Sequence, residues 1–568
     1  MRSVNQYRRR DTLAYLGLRY YLGNEAARSD RWAREVATNL ALTRTELPYF
    51  RTLHFKERDD QGIVQHRDIF LPSPNEALAE AALLEECGDA FSNPPTVFSY
   101  ALNAKDSRSG SFRAYMPGLR DRHDRIAEAC DHCPSGIVQY ADIKRFYPSI
   151  GTELAAKAWH QQCEAGRLSK RFRDLGAKLI ADHATAAGEE SRGILTGPMF
   201  SHLLGNLVLR GIDGDLSESL PVKYFRYVDD IVLVGEQNTV NRSLAILRDR
   251  LDELGFKLHD DLSPKSIAVS TGNWLKGRGD FSQSRSTILW LDLIRGLKQF
   301  LLQNPDQQEV LQSAFRSESF RIPVRDYSLL IHERDFLERL ILYAKWPWSS
   351  WRREAPTVQA LIQLARQLRG KCELEFHDLL EGASELSEYE RKRRIPKLRY
   401  RAGMLIYLAE DGSLLPLASA AGEFPELHLH CQVMKAVGTG EIDELLPLGN
   451  NAAQAAAQPL FAAGKRCSIA KDVDTEVMKQ GLAIFLFNGV PVTQPESSSH
   501  VHSEMLRFAA SGSDAALMRS ADPYIREVAC LHGLTPTPRH PETLATVFDE
   551  DEDLAMDAVE QLQQSASP

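Results

Sequence analysis

Phe225-Arg-Tyr-Val-Asp-Asp-Ile-Val-Leu-Val234 sets two acidic side chains between two apolar, strand-like runs. Residues 222–228 and 231–234 read as strands, and the two residues between them, Asp229 and Asp230, give hairpin spacing. Upstream, Ile137-Val-Gln-Tyr-Ala-Asp142 reads as a buried strand that ends on a third carboxylate, 87 residues before Asp229. If the strands are neighbours, three acidic groups converge at one end of a sheet. Like charges held together raise one another's pKa unless a cation neutralises them. Carboxylate oxygens suit Mg²⁺, and two such ions about 4 Å apart stabilise the attacking and leaving oxygens of an in-line displacement. The competing reading is a polar hairpin turn and an unrelated strand end. For either feature alone the competing reading would win; the two together, with apolar strands on both sides of the acidic pair, favour the metal site, and a resemblance set out below decides most of that.

Working outward, residues 152–162 read as a helix, and Gly193 to Ser201 as a glycine-containing loop opening a helix with apolar Leu204, Leu207, Val208 and Ile212. Ser201 is expected to cap that helix. Val240, Leu244, Leu247, Leu251 and Leu254 recur at helical spacing, with Gly255 as the expected C-terminal cap. Phe256-Lys-Leu258 then resumes extended structure. The order strand, helices, hairpin, helix, strand predicts an α+β fold: an antiparallel sheet with helices on one face. From about residue 290 the pattern turns mainly helical, as at Leu361, Leu364 and Leu368.

At 568 residues the chain calls for more than one domain, and 43% apolar with 26% charged residues is a globular composition. The longest apolar runs, such as Leu482-Ala-Ile-Phe-Leu-Phe487, fall far short of the roughly 20 residues that cross a bilayer, so no membrane partner is expected. No apolar stretch follows the Arg-rich start, so a cytoplasmic location is expected. Residues 541–568 hold eight acidic side chains and no basic ones, which leaves the rest of the chain close to neutral despite a net charge of −9. Arg391 to Arg401 carries seven Lys or Arg and no acid, a pattern that allows a nucleic-acid partner. Cys130-Asp-His-Cys133 has ligand spacing, but only His160 and Cys163 follow nearby, so ordinary reduced thiols are the expectation.

Three stretches, taken in order, resemble reverse transcriptase motifs A, B and C. They are Tyr140-Ala-Asp-Ile-Lys-Arg-Phe-Tyr-Pro-Ser-Ile150, Gly193-Ile-Leu-Thr-Gly-Pro-Met-Phe-Ser-His-Leu-Leu-Gly-Asn-Leu207, and the Tyr-Val-Asp-Asp stretch of the opening. The resemblance spans about residues 50–290. It implies a right-hand polymerase with fingers and a ferredoxin-like palm, followed by a large, repeat-like α-helical C-terminal domain. The implied boundaries are 1–135 for the N-terminal region and fingers, 136–288 for the palm, 289–535 for the helical thumb or C-terminal domain, and 536–568 for an acidic, partly disordered tail.

Carried over residue by residue, Asp142 and Asp229 match the metal-bridging aspartates, Asp230 their neighbour, and the Ile143 carbonyl a further metal ligand. Two Mg²⁺ ions, with Mn²⁺ as a substitute, are implied. Tyr147, beside Phe146, matches the aromatic gate that excludes a ribose 2′ hydroxyl. Gly197 and Ser201 match the motif B loop and helix. Lys265 resembles the lysine that protonates departing pyrophosphate, and Arg67 and Arg113 resemble finger residues that clamp a triphosphate. For Lys265 a solvated loop lysine is the alternative, and for the two arginines surface ion pairs. Thr196 and His202 stand where many relatives have Gln and Pro.

The Gly-Pro-x-x-Ser form of motif B, Phe98-Ser-Tyr100 and the long helical C-terminal half are most similar to bacterial abortive-infection and other defence-associated reverse transcriptases. That similarity implies an RNA-directed DNA polymerase acting in antiphage defence, using dNTPs with an RNA or DNA template-primer or a non-conventional template or primer, and forming a homo-oligomer in some members. Arg391, Lys392, Arg393, Arg394 and Lys397 are the candidate nucleic-acid contacts, with Tyr389 and Tyr400 as stacking aromatics or packed tyrosines. The alternatives are a retron-like or group II intron-derived enzyme with a dedicated non-coding RNA, and a catalytically silent RNA- or protein-binding module.

Overall fold

The computed structural model describes residues 48–493 other than 60, 105–109, 114, 189–192, 261, 262, 264, 280–284 and 325–355, together with Arg519. Residues 1–47 of the expected first zone and the whole acidic tail from 536 lie outside the described residues.

The fold is mixed α+β. An antiparallel hairpin, β1 (Tyr49–Arg58) and β2 (Val64–Pro72), leads into helices α1 (Pro74–Cys87) and α2 (Tyr115–His132). Next come β3 (Ile137–Asp142), the one-turn α3 (Phe146–Ser149), and helices α4 (Thr152–Ala165), α5 (Lys170–Ala187) and α6 (Met199–Ser219). Strands β4 (Lys223–Tyr227) and β5 (Asp230–Gly235) form the expected hairpin, followed by α7 (Gln237–Glu253), β6 (Ala268–Ser270) and α8 (Thr271–Leu275).

The four strands β3 to β6 make one antiparallel sheet in the order β4-β5-β3-β6. This is a βαββαβ arrangement in which the first strand lies inside the sheet and the hairpin lies to one side of it. Its edge strand corrects one expectation. The last strand is Ala268–Ser270, not the stretch 256–258, of which only Leu258 forms an isolated bridge, to Ile143. Gly255 ends α7 at φ +84°, a left-handed conformation that costs glycine little.

Side-chain alternation divides the sheet into two faces. Ala141, Ile231 and Leu233 join the large core shared with α4, α5, α6 and α7. Val138, Phe225, Val232 and Val234 face the other way, onto Ile126, Ala127 and Cys130 of α2 and Trp274 of α8, so helices cover both faces rather than one.

The second half is helical: α9 (Arg285–Gln303), α10 (Gln308–Ser317), α11 (Val358–Leu380), α12 (Glu388–Leu408), α13 (Asp411–Ala420), α14 (His428–Thr439), α15 (Asn450–Ala463) and α16 (Glu476–Phe487). Neighbours in sequence pack together, α11 on α12, α13 on α14, α14 on α15 and α15 on α16. A short parallel pair, β7 (Cys467–Ser468) and β8 (Val492–Thr493), closes the end. One contiguous set of buried apolar side chains runs from Phe50 to Val490 across the boundaries drawn from sequence. The first hairpin is part of the reason: Asn451 accepts the Phe55 N–H at 2.9 Å, and Gln480 donates to the Arg51 carbonyl at 3.2 Å. Among the described residues no helix is long and apolar enough to cross a membrane.

Candidate active site

The acidic hairpin is built differently from its sequence reading by one residue. Asp230 is the first residue of β5 and pairs with both Tyr227 of β4 and Asp142 of β3, so the turn itself is Val228-Asp229. Val228 sits at φ +57°, a conformation that a β-branched residue adopts at a cost of order 1–3 kcal/mol. Three contacts hold it there. The Val228 N–H donates to Ser99 Oγ at 2.8 Å, and its carbonyl accepts from Arg226 Nη1 at 2.7 Å. The Asp229 carbonyl accepts the Ile143 N–H at 3.3 Å, tying the turn to the end of β3.

Arg226 is anchored in turn. It is fully buried, donates through Nε and Nη2 to the two oxygens of buried Asp213 at 2.8 and 2.6 Å, and also reaches Asn206 at 3.2 Å. Tyr224 donates to the same Asp213 at 2.8 Å.

The three carboxylates meet at the sheet end. Asp142 and Asp230 are direct register partners and share a face, with Asp229 in the adjoining turn. Burial, and next the Asp142 charge, hold Asp229 well above the usual carboxylate range; Asp230 adds to the effect and Lys265 opposes it. Lys265 Nζ lies 2.8 Å from Asp142 Oδ2, and Arg122 of α2 ion-pairs with Asp230 at 2.7 Å. Asp142 Oδ2 is buried and makes no aligned hydrogen bond, so the lysine balances its charge by proximity alone. His259 Nε2 stands 3.8 Å from the same oxygen.

Among the described residues no group of three or more His, Cys, Asp or Glu is arranged to hold a metal. The donor chemistry still fits a hard divalent cation: crowded carboxylates, one of them carrying a buried oxygen with no aligned donor. Ligation by Asp142 would require Lys265 to swing off it. Ile143 is buried directly after Asp142.

The residues likened to motif B lie in the loop before α6 and in its first turn. Gly197 adopts φ +121°, and a Cβ there would lie 2.4 Å from the Phe70 carbonyl oxygen, so the first hairpin leans on this loop. The Phe70 N–H also donates to the Thr196 carbonyl at 2.8 Å. The expected Ser201 cap is corrected: α6 begins at Met199, and the Ser201 hydroxyl donates to the Leu195 carbonyl at 2.6 Å. Glu80 of α1 takes the capping role, accepting the N–H groups of Met199 at 2.8 Å and Phe200 at 3.2 Å. A buried carboxylate at a helix N-terminus satisfies donors the helix itself cannot. Tyr147 and His202 are hydrogen-bonded through the tyrosine oxygen and Nδ1. The His202 ring is stacked on Tyr100 at 3.8 Å and 5°. Phe146, in contrast, is buried in the core and packs on Phe256.

The remaining candidates are dispersed. Arg67 stands opposite His54 in the first hairpin, and Arg113 is exposed in the segment before α2. Within the basic stretch, Arg391 is held by Glu426 at 2.8 Å and lies over the Phe424 ring. Arg394 donates to the carbonyls of Leu379 and Glu381 at 3.1 and 2.6 Å, and Arg393 to that of Lys276 at 3.3 Å. Lys397 is half-buried. Tyr389 packs against the α2 face of the sheet and Tyr400 against the main core.

Sequence reasoning missed Arg122, Glu80, Arg226 and Asp213. Asp213 and Arg226, 13 residues apart on a helix and a strand, gave no local signal, and Arg122 lies 108 residues from its partner. No protein-family model matches this chain, and no curated protein matches it.

Proposed function

We propose that the chain is a reverse-transcriptase-type DNA polymerase, with the β3–β6 sheet as its palm. The observation that carries this reading is the register match of Asp142 with Asp230 beside Asp229 at one sheet end. Mutual repulsion there is what divalent cations relieve, and Mg²⁺, or Mn²⁺ in its place, fits the oxygen donors. When bound, such ions would activate a 3′ hydroxyl and stabilise departing pyrophosphate. Asp142 and Asp229 would hold them, while Arg122 orients Asp230. Lys265, once released from Asp142, would protonate the departing pyrophosphate. Tyr147, fixed through His202, would line the sugar pocket so that dNTPs are preferred. Motif order and the long helical half favour a role in bacterial antiphage defence.

The test is incorporation of labelled dNTP by the purified chain with Mg²⁺, which Asp229→Ala is expected to abolish. Incorporation that persists in Asp229→Ala overturns the reading. The Lys265–Asp142 ion pair favours one second reading, a module that binds nucleic acid without polymerising. It expects biological activity to survive Asp142→Asn.

A further inference from the structure

The basic stretch divides in the fold. Arg391, Arg394 and Arg401 dock α12 on its neighbours, through Glu426, the carbonyls of Leu379 and Glu381, and Glu375. Lys392 goes elsewhere. Its Nζ lies 4.3 Å from the centroid of the Tyr140 ring. Tyr140 is two residues before Asp142 on β3, so its side chain shares the face of Asp142 and Asp230. The first turn of α12 is fixed above that face by a capping box between Ser387 and Glu390, and by Tyr389 packed on the α2 side of the sheet. Tyr140 is itself held by the Trp274 indole N–H at 2.7 Å.

We propose that Lys392 is a phosphate-binding residue of the carboxylate site, delivered to it by the helical half of the chain. This deepens the polymerase reading and rests on it. Three cations surround the carboxylates. Arg122 and Lys265 each have a carboxylate at 2.7 and 2.8 Å, whereas among the described residues Lys392 has none within ion-pair distance. Burial lowers the Lys392 pKa, the Asp230 and Asp142 charges raise it, and those of Arg122 and Lys265 lower it further. An ammonium largely out of water on an aromatic face, with no carboxylate at ion-pair distance, is completed by an arriving anion. Phosphate is the anion this chemistry brings, and lysine binds it as a point charge. The phosphate belongs either to an incoming nucleotide or to the growing strand.

Calorimetric binding of dATP, and separately of a single-stranded DNA oligonucleotide, to the full chain distinguishes the two sources. Lys392→Gln is expected to weaken one of them at least tenfold, and Lys392→Arg to stay within threefold of wild type. Loss confined to dATP assigns the contact to the triphosphate, and loss confined to the oligonucleotide assigns it to strand phosphates. Binding of both within twofold of wild type by Lys392→Gln overturns the proposal, as does equal loss in Lys392→Arg, which marks a packing role. If Lys392→Gln does not fold, Lys392→Met, which keeps the aliphatic stem on Tyr140, makes the same comparison. A wild-type chain that binds but incorporates nothing sinks the polymerase reading alone. Incorporation with unchanged binding in Lys392→Gln sinks this proposal alone.

Discussion

Replacing Asp213 by Asn tests the frame that holds the acidic turn. Asp213 and Arg226 are both fully buried, and the carboxylate accepts two guanidinium bonds at 2.8 and 2.6 Å as well as the Tyr224 hydroxyl. The substitution keeps the volume and removes the charge, stranding a guanidinium with no counter-ion in a dry site. Breaking such a pair from one side costs about 3–5 kcal/mol. Urea denaturation of the full chain reads this as a lower midpoint at an unchanged slope. The double variant Asp213→Leu/Arg226→Met removes both charges, and its stability should recover most of the loss. Incorporation should not recover with it, because the Val228 carbonyl has lost its Arg226 donor and the turn bearing Asp229 is no longer pinned. An Asp213→Asn chain within about 1 kcal/mol of wild type, a difference too small for a broken buried pair, would refute the reasoning. So would a double variant less stable than either single one.

Three further outcomes are expected. Gly197→Ala should lower the thermal midpoint, since φ +121° and a Cβ 2.4 Å from the Phe70 oxygen strain any side chain, at a cost of order 1–3 kcal/mol for the backbone alone; an unchanged melt would remove the argument. Tyr147→Ala should erase the preference for dNTP over rNTP, while Tyr147→Phe, which keeps the ring and loses only the His202 bond, should retain most of it; the ratio of kcat/KM for the two nucleotides decides. Finally, His183 and His430 are fully buried with both ring nitrogens unpaired among the described residues, and burial pushes each down to about 3. Their folded pKa lies below the unfolded value near 6.5, so the stability they allow is complete above that value and is lost as pH falls through it. At pH 5 each costs about 2 kcal/mol. The urea midpoint should therefore drop between pH 7.5 and 5, and His430→Leu should flatten the drop; identical pH slopes in both chains would contradict this.

The sheet was legible in the sequence because its signals are local. Ile137 to Asp142, the strands around the acidic pair and the Val240–Leu254 stripe each carry their own periodicity, and each formed its element within a few residues. The turn was read one residue late because Val228 carries no turn signal; Ser99, Arg226 and Ile143 hold it at positive φ. The edge strand was misplaced because Ala268–Ser270 is too short to show alternation. Ser201 has the chemistry of a cap, yet Glu80, 119 residues from Met199 in the chain, took the position. The basic stretch looked like an open surface in one dimension, but most of its charge is spent on carbonyls and carboxylates that only folding brings near. Long-range pairing of this kind leaves no trace in spacing or composition.

Glu80 has a mechanical consequence. One of its oxygens receives the Tyr49 hydroxyl, at the root of the first hairpin, and the other receives the leading amides of the helix that carries His202 and Asn206. A single buried side chain is thus the rivet between an arm that reaches the helical half and the scaffold behind the acidic turn. Removing that one carboxylate would uncouple the root of the hairpin from the helix behind the acidic turn.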